Sequence, residues 1–194
     1  MIRLGIFASG NGTNAINLNH YFNKNTSIEV AKVYCNNPVA GVITRAFSDD
    51  IPTHVFTRRQ LNTGAVLKQL KRDKIDVVIL AGFLWLIPEN LVTGYPKKII
   101  NVHPALLPKF GGKGMYGMNV HEAVIENKES KSGITIHVVD ESYDTGDHLF
   151  QAQVDVEHDE TPESLAEKIH VLEYKHFPEV IEQYVLSLSQ AKSI

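Results

Sequence analysis

An almost uninterrupted apolar run follows Asp76 and ends at Phe83. Runs of this length without polar alternation are typical of parallel strands that are buried on both faces of a sheet. A similar run at residues 2–8 leads into a glycine-rich turn and then into a helical pattern. Strands that alternate with helices in this way predict an α/β fold, with a mostly parallel twisted sheet flanked by helices in a single domain.

Chain length and composition set the outer limits of this prediction. With 194 residues, we expect one domain over residues 1–188 and a frayed tail at residues 189–194. A net charge of −3, without any block of five like charges, argues against a nucleic-acid binder. Cys35 is the only cysteine and no run reaches the ~20 apolar residues of a membrane span. We therefore expect a cytoplasmic protein in a reducing compartment, with no membrane partner.

The turn after the first apolar run reads Ser-Gly-Asn-Gly-Thr-Asn at residues 9–14. A strand, a glycine loop and a helix in this order present backbone N–H groups and a helix N-terminus, so phosphate is the expected ligand. The spacing Gly10-x-Gly12-x-x-Ala15 also fits a loose dinucleotide fingerprint. However, the second expected strand does not end in the acidic residue that a dinucleotide site needs. A tight turn without a ligand is the alternative.

Asn101 and His103 stand one residue apart at the end of an apolar run that begins at Ile99. Side chains at positions i and i+2 of a strand point to the same face of the sheet, so both would project into one space. A fixed amide donor beside a histidine would form a small catalytic platform. The alternative is a strand end with a solvated asparagine and a hydrogen-bonded core histidine.

His103 needs a neighbouring carboxylate if it is to be charged or held in one tautomer near neutral pH. Asp144 lies in an acidic loop and precedes a Thr-Gly turn that would fix its carboxylate in place. Its charge would raise the pKa of His103 by roughly 1–3 units. We therefore choose it over the other acids of the loop, which are Asp140, Glu141 and Asp147.

The carboxyl ends of parallel strands meet at one edge of a sheet, and ligands bind beyond that edge. The loops at residues 9–14, 82–87 and 101–104 should therefore line one cleft. Residues 110–117 hold four glycines in eight positions and should form a mobile loop, either a lid or a plain connector.

Two helical regions are expected in addition. Apolar spacing predicts one amphipathic helix over residues 62–74. Thr161 is the expected N-cap of a later helix that runs towards Tyr174. A second segment should follow Pro178 and run to about Leu188.

Four segments carry a family pattern in order: residues 8–14, 80–83, 101–108 and 133–139, the last leading to an Asp-x-Gly motif at Asp144. Together they resemble the phosphoribosylglycinamide formyltransferases, a folate-dependent family, over nearly the whole chain. The Asn-x-His-Pro and Asp-x-Gly motifs are shared with other formyltransferases that use 10-formyltetrahydrofolate. The glycine loop resembles the segment that grips the phosphate of the ribonucleotide substrate.

This resemblance implies a Rossmann-like fold and transfer of a formyl group from 10-formyltetrahydrofolate to the amine of glycinamide ribonucleotide in purine biosynthesis. Asn101 and protonated His103 would stabilise the oxyanion of a tetrahedral intermediate, and Asp144 would keep His103 charged and oriented. The resemblance assigns substrate binding to Gly12, Thr13, Asn14, Pro104 and Glu173, of which the first three would bind the phosphate and Glu173 the ribose. It assigns the folate side to Leu84, Trp85, Leu86, Ile87, Asn101, Asp140, Glu141 and Asp144.

The sequence departs from the family pattern at three places. Trp85 stands where many relatives have arginine, so stacking would replace a polar contact to the folate. The arginine that helps to bind folate upstream in the family has no direct counterpart, and Arg58 and Arg59 are the two candidates. The loop at residues 110–117 is longer and richer in glycine than the family loop, which leaves its closure over the substrate open.

Other interpretations remain open at this point. The acceptor could be another amine, such as that of a sugar nucleotide, or the chain could be a non-catalytic nucleotide-binding α/β module. Its histidines are scattered and it lacks paired cysteines, so no metal site is expected. The oligomeric state is not determined by the sequence.

Overall fold

The structure is a computed structural model that describes residues 1–190 and contains one seven-stranded sheet. The strands are β1 (Ile2–Ala8), β2 (Ile28–Cys35), β3 (Thr53–Val55), β4 (Val77–Leu80), β5 (Ile99–His103), β6 (Lys131–Val138) and β7 (His148–Asp155). They lie in the order β3-β2-β1-β4-β5-β6-β7. The first five strands pair in parallel, whereas β6 and β7 pair antiparallel. The predicted α/β fold with a mostly parallel sheet is confirmed.

Helices cover both faces of this sheet. They are α1 (Thr13–Phe22), α2 (Gly41–Ser48), α3 (Arg58–Asn62), α4 (Ala65–Arg72), α5 (Glu89–Gly94), α6 (Met118–Glu126) and α7 (Pro162–Gln190). Throughout residues 1–190, no helix combines the length and the hydropathy that crossing a bilayer requires.

The sheet divides the hydrophobic core into two clusters. Alternate residues of β1 point to opposite faces, so Ile6 packs under α1, α2, α6 and α7, while Phe7 packs under α3, α4 and α5. Leu18 of α1 and Phe177 of α7 are fully buried in the first cluster. Each such side chain contributes about 1.5–3 kcal/mol to the free energy of unfolding, so α7 is an integral part of the domain.

The position of β1 between β2 and β4 determines where a ligand can bind. The strand order reverses at β1, because the chain moves outwards to β2 and β3 and then returns to the other side through β4 and β5. Such a switch point opens a crevice outside the carboxyl ends of the strands. The loops after β1, β4 and β5 therefore begin on one edge, as the sequence predicted.

The amphipathic helix expected over residues 62–74 is present as α4, but it begins at Ala65, and a separate short helix, α3, ends at Asn62. Gly64 has φ = 78° and breaks the helical path between α3 and α4. Thr57 and Gln60 form a capping box that starts α3, with hydrogen bonds of 2.8 and 3.3 Å. The Thr-x-x-Gln spacing was a signal in the sequence that the apolar pattern alone overlooked.

Pro178 does not separate two helical segments, because α7 continues through it. Proline lacks the N–H that would donate to the carbonyl four residues earlier, which is that of Tyr174. The side chain of Asn17 on α1 supplies the missing donor, with 2.9 Å from Nδ2 to the Tyr174 oxygen. A side chain from a neighbouring helix thus satisfies the carbonyl that the proline frees.

The expected frayed tail at residues 189–194 lies largely outside the described residues. Ser189 and Gln190 still belong to α7, and residues 191–194 are not described. Thr161 caps α7 as predicted, since its Oγ1 accepts a hydrogen bond of 3.2 Å from the N–H of Ser164.

Replacement of Asn17 by alanine should lower the free energy of unfolding by about 1 kcal/mol, because the carbonyl of Tyr174 loses its donor. In a Pro178→Ala background the new N–H at position 178 satisfies that carbonyl, so Asn17→Ala should cost much less. Urea denaturation of the four proteins of this cycle measures the coupling. Equal costs in both backgrounds would contradict the pairing of Asn17 with the proline.

Candidate active site

A cleft of about 900 Å³ opens at the carboxyl edge of the sheet. Its walls come from the loops after β1, β4 and β5, from residues 112–118 and 142–144, and from one face of α7. The three loops that the sequence assigned to one edge thus share a single cavity. In the described part of the chain, no three side chains of His, Cys, Asp or Glu are grouped so as to hold a metal ion.

The glycine loop places the N-terminus of α1 at one end of this cleft. Gly12 has φ = 73°, and a Cβ there would lie 2.2 Å from Cγ2 of Val42, so a side chain at this position is excluded. Within residues 1–190 no side chain caps α1, which leaves its first N–H groups available to an anion. Ser9 ties the loop to its neighbour, because its Oγ accepts from the N–H of Leu84 at 3.1 Å and its N–H donates to Gly82 at 3.0 Å.

Glu173 of α7 stands beside the glycine loop and is 7% exposed. One of its oxygens accepts hydrogen bonds from Nδ2 of Asn14 at 2.8 Å and from Nδ1 of His170 at 2.9 Å. The hydrogen bond to Glu173 raises the pKa of His170. The Oδ1 atom of Asn14 is buried without a hydrogen-bond partner among the described residues. This end of the cleft therefore offers acceptors beside an imidazole that the carboxylate makes easier to protonate.

His170 was missed by the sequence analysis. Its spacing of three residues from Glu173 on one helix is the signal that identifies the pair. His121 of α6 was also missed; it lines the cleft, is 5% exposed, and its Nδ1 has no partner among the described residues. Burial lowers the pKa of His121, so the ring that lines the cleft is neutral near pH 7.

The pairing of β5 with β6 places Asn101 opposite His137. Nδ2 of Asn101 lies 3.1 Å from Nε2 of His137, and Nδ1 of His137 lies 3.1 Å from the carbonyl of Val138. Because a carbonyl only accepts, Nδ1 of His137 carries the hydrogen and Nε2 accepts from the amide of Asn101. Sequence analysis had not identified His137 as a site residue, since a cross-strand register cannot be read from one strand.

His103 lies at the end of β5 and is 4% exposed. Its Nδ1 lies 3.6 Å from Oδ2 of Asp144, and its Nε2 donates to the carbonyl of Phe110 at 2.7 Å. The structure thus brings together Asn101, His103 and Asp144, the three residues that the sequence singled out for catalysis.

The pKa of His103 is lowered, because burial outweighs the opposite effects of the Asp144 charge and the Phe110 carbonyl. The carboxylate acts in the direction that the sequence predicted, but it does not produce a net rise. Burial alone would raise the pKa of Asp144, yet the neighbouring ring of His137, the charge that His103 carries when protonated and the hydrogen bond from Gly112 hold that pKa below its usual range. Asp144 is therefore ionised at neutral pH.

The Asp-x-Gly turn fixes the carboxylate of Asp144 by close packing. Asp144 itself has φ = 55°, and Oδ2 accepts from the N–H of Gly112 at 2.9 Å. A Cβ on Gly146 would lie 1.8 Å from the carbonyl oxygen of Val138, so only glycine allows the turn to approach β6. Oδ1 of the carboxylate lies 3.5 Å from Nε2 of His137.

The opposite end of the cleft is aromatic. The ring of Trp85 contacts Phe56 and Phe83, with centroid distances of 6.3 and 6.2 Å. The guanidinium carbon of Arg58 lies 4.6 Å from the centroid of the Trp85 ring. Arg58 lines the cleft whereas Arg59 does not. The remaining residues of this wall that the sequence assigned to the folate are Leu84, Leu86 and Ile87, and all three line the cleft.

Of the other predicted contacts, Pro104 lines the cleft, as do Thr13 and Asn14, whereas Asp140 and Glu141 do not. The carboxylate of Asp140 accepts from Oγ1 of Thr145 at 2.8 Å and so braces the loop from within. Glu141 is exposed. Residues 142–144 line the cleft instead.

The glycine-rich segment forms part of the cleft wall, since residues 112–117 all face the cavity. Gly112, Gly114 and Gly117 have positive φ values of 96°, 90° and 55°. Nδ2 of Asn119 donates to the carbonyl of Gly114 at 3.0 Å and holds the loop to α6. The segment at residues 112–117 is therefore in position to contact a ligand.

Comparison with known proteins relates this fold and site to one family. A family model described as formyl transferase matches residues 2–181. The chain is 41% identical over 187 residues to the chloroplastic phosphoribosylglycinamide formyltransferase of Arabidopsis thaliana, covering 92% of this chain and 64% of that relative's length. It is 35% identical to phosphoribosylglycinamide formyltransferase of Bacillus subtilis, covering 94% of each chain.

Solved structures agree with these relatives. The crystal structure of phosphoribosylglycinamide formyltransferase from Bacillus halodurans superposes with a TM-score of 0.85 at 34% identity, covering 93% of this chain and 94% of that one. Glycinamide ribonucleotide transformylase 1 from Geobacillus kaustophilus gives a TM-score of 0.84 at 35% identity, covering 93% and 97%. The resemblance seen in the four sequence segments is confirmed, and the chain belongs to the formyl transferase family, among the phosphoribosylglycinamide formyltransferases.

Proposed function

We propose that this protein transfers the formyl group of 10-formyltetrahydrofolate to the amine of glycinamide ribonucleotide, a step of purine biosynthesis. One observation carries the proposal: Asn101, His103 and Asp144 meet in a cleft between an uncapped helix N-terminus and an aromatic wall. These two ends suit a phosphorylated substrate and a flat heterocyclic donor, respectively.

The ribonucleotide occupies the end of the cleft formed by α1 and α7. Gly12, Thr13 and Asn14 bind the phosphate through backbone N–H groups at the start of α1. The free oxygen of Glu173 accepts from the ribose hydroxyls, and the ring of His170, whose pKa this carboxylate raises, lies beside it. Pro104 directly follows His103 in the sequence and places the glycinamide arm next to the His103 ring.

The folate occupies the other end, where Leu84, Trp85, Leu86 and Ile87 form an apolar wall. We assign the upstream folate-binding arginine to Arg58, because it lines the cleft and its guanidinium is held over an aromatic ring. Residues 142–144 take the place that the sequence had given to Asp140 and Glu141, while Asp140 braces the loop.

In the reaction the amine nitrogen bonds to the formyl carbon, the bond from that carbon to the folate nitrogen breaks, and one proton passes from the amine to the leaving nitrogen. The amide of Asn101 donates one N–H to His137 and keeps a second for the oxyanion. A protonated His103 is the second donor, and each donor is worth roughly 2.7–4 kcal/mol in the transition state. Asp144 offsets part of the cost of charging His103 in a buried place.

Formyl transfer should depend on Asn101 far more than substrate binding does. Asn101→Leu removes a donor that acts on the developing oxyanion, so kcat should fall roughly 10²–10³-fold with little change in either KM. An assay with glycinamide ribonucleotide and 10-formyltetrahydrofolate measures this, with Asn127→Ala as a control outside the cleft. Absence of transfer by the unmodified protein would overturn the proposed function.

Arg58 and Arg59 provide a matched pair for the folate site. Arg58→Ala should weaken binding of a folate analogue about tenfold, because a charged group that faces the ligand is lost. Arg59→Ala should leave the affinity unchanged. Quenching of Trp85, the only tryptophan of the chain, reports binding in both variants. Equal effects of the two changes, or no quenching at saturation, would count against this assignment.

Asp144→Asn should lower kcat by about 10²–10⁴-fold with little effect on substrate binding, because the carboxylate acts through His103. Its charge raises the pKa of His103, so the variant should move that pKa still further below 6.5 in an NMR titration. The variant should therefore lose activity at a lower pH than the parent protein as pH rises. Combination with His103→Ala should add little further loss.

An unchanged pKa of His103, together with additive losses in the double variant, would instead give Asp144 an independent role. The His137→Gln variant serves as a comparison, because His137 contacts the other oxygen of the same carboxylate.

A further inference from the structure

The contacts of His103 leave no N–H of this ring free. Nε2 donates to the carbonyl of Phe110 at 2.7 Å, and Nδ1 faces Oδ2 of Asp144 at 3.6 Å. Each ring nitrogen carries at most one hydrogen, so neither can donate to another acceptor while both contacts persist. Asn101 differs, because its amide has two hydrogens and gives only one to His137.

We propose that the backbone carbonyl of Phe110 competes with the formyl oxygen for Nε2 of His103, and that it must withdraw before formyl transfer. This inference rests on the proposed function, in which His103 donates to the oxyanion. The N–H that the carbonyl gives up is the one that the oxyanion receives. The contact thus holds His103 in place while it keeps the donor unavailable.

The backbone of Phe110 makes this withdrawal accessible. Phe110 has φ = 55°, in the left-handed region, which a residue with a side chain populates roughly 5- to 30-fold less readily than the right-handed region. In this disfavoured conformation the carbonyl of Phe110 reaches Nε2 of His103. Rotation out of it relieves the backbone strain and removes the carbonyl in the same step.

The segment that follows links this contact to the cleft. Two residues beyond Phe110, the N–H of Gly112 donates to Asp144 at 2.9 Å, so a short stretch of backbone bridges His103 and Asp144. Residues 112–117 then line the cavity. A ligand that presses on this wall acts through Gly112 and Gly111 on the peptide whose carbonyl contacts His103, so filling of the cleft is coupled to release of the donor.

Two variants at one position isolate the backbone effect. Phe110→Gly and Phe110→Ala both remove the ring, but glycine adopts positive φ without strain and therefore favours the contact. We expect kcat of Phe110→Gly to be about fivefold lower than that of Phe110→Ala, with equal KM values for both substrates. A higher kcat in the glycine variant would show that the contact supports catalysis, and equal kcat values would show that it is irrelevant; either result overturns the proposal.

A titration of His103 by NMR tests the contact itself without turnover. The Phe110 carbonyl raises the pKa of His103, so the pKa should be higher in Phe110→Gly than in Phe110→Ala. Addition of glycinamide ribonucleotide and a folate analogue that lacks the formyl group should shift the Nε2 resonance of His103 in the unmodified protein. An Nε2 resonance that does not change at saturation would overturn the proposal.

These readouts separate the inference from the function on which it rests. Failure of the unmodified protein to transfer a formyl group would refute the proposed function, whereas transfer with the wrong order of kcat values would refute only the competition. If Phe110→Gly does not fold, Phe110→Asn and Phe110→Leu make the same comparison, because asparagine tolerates the left-handed region and leucine does not.

Discussion

The antiparallel pairing of β6 with β5 is the constraint on which the site depends, because it decides which side chains meet across two buried strands. It sets Asn101 opposite His137 and His103 opposite Thr135. A shift of one residue would turn both β5 side chains to the other face, and the burial of β6 from Ser132 onwards makes such a shift costly. The hydroxyl of Thr135 also bonds to two backbone groups of the segment that leaves His103, at 2.7 and 3.0 Å.

Local rules were sufficient for the parts of the site that lie close together in sequence. The spacing of Asn101 and His103 on one strand predicted a common direction, and the turn after Asp144 predicted a fixed carboxylate. His137 escaped notice because its partner Asn101 lies on another strand, and Glu173 meets Asn14 only because α7 packs against α1. Such contacts depend on sheet register and helix packing, which the properties of single segments do not specify.

The pKa of His103 shows a second limit of sequence reasoning. A carboxylate close to His103 predicts that the pKa of the imidazole rises. The ring is almost fully buried, however, and the cost of desolvating its charge lowers the pKa instead. The sign of the shift depends on how much water the fold excludes, a quantity that no spacing of residues contains. The buried ring and the ionised Asp144 together make charging of His103 responsive to whatever enters the cleft.

The hydrogen bond from Asn17 to the carbonyl of Tyr174 limits the order in which substitutions could have accumulated. A proline placed at position 178 before a donor existed on α1 would have left a helix carbonyl without a donor from the protein, whereas an asparagine at position 17 costs little on its own. The less costly order is therefore the asparagine first and the proline second. Once both residues are present, loss of the asparagine removes the donor that the proline makes necessary. Two positions on helices far apart in sequence therefore no longer vary independently.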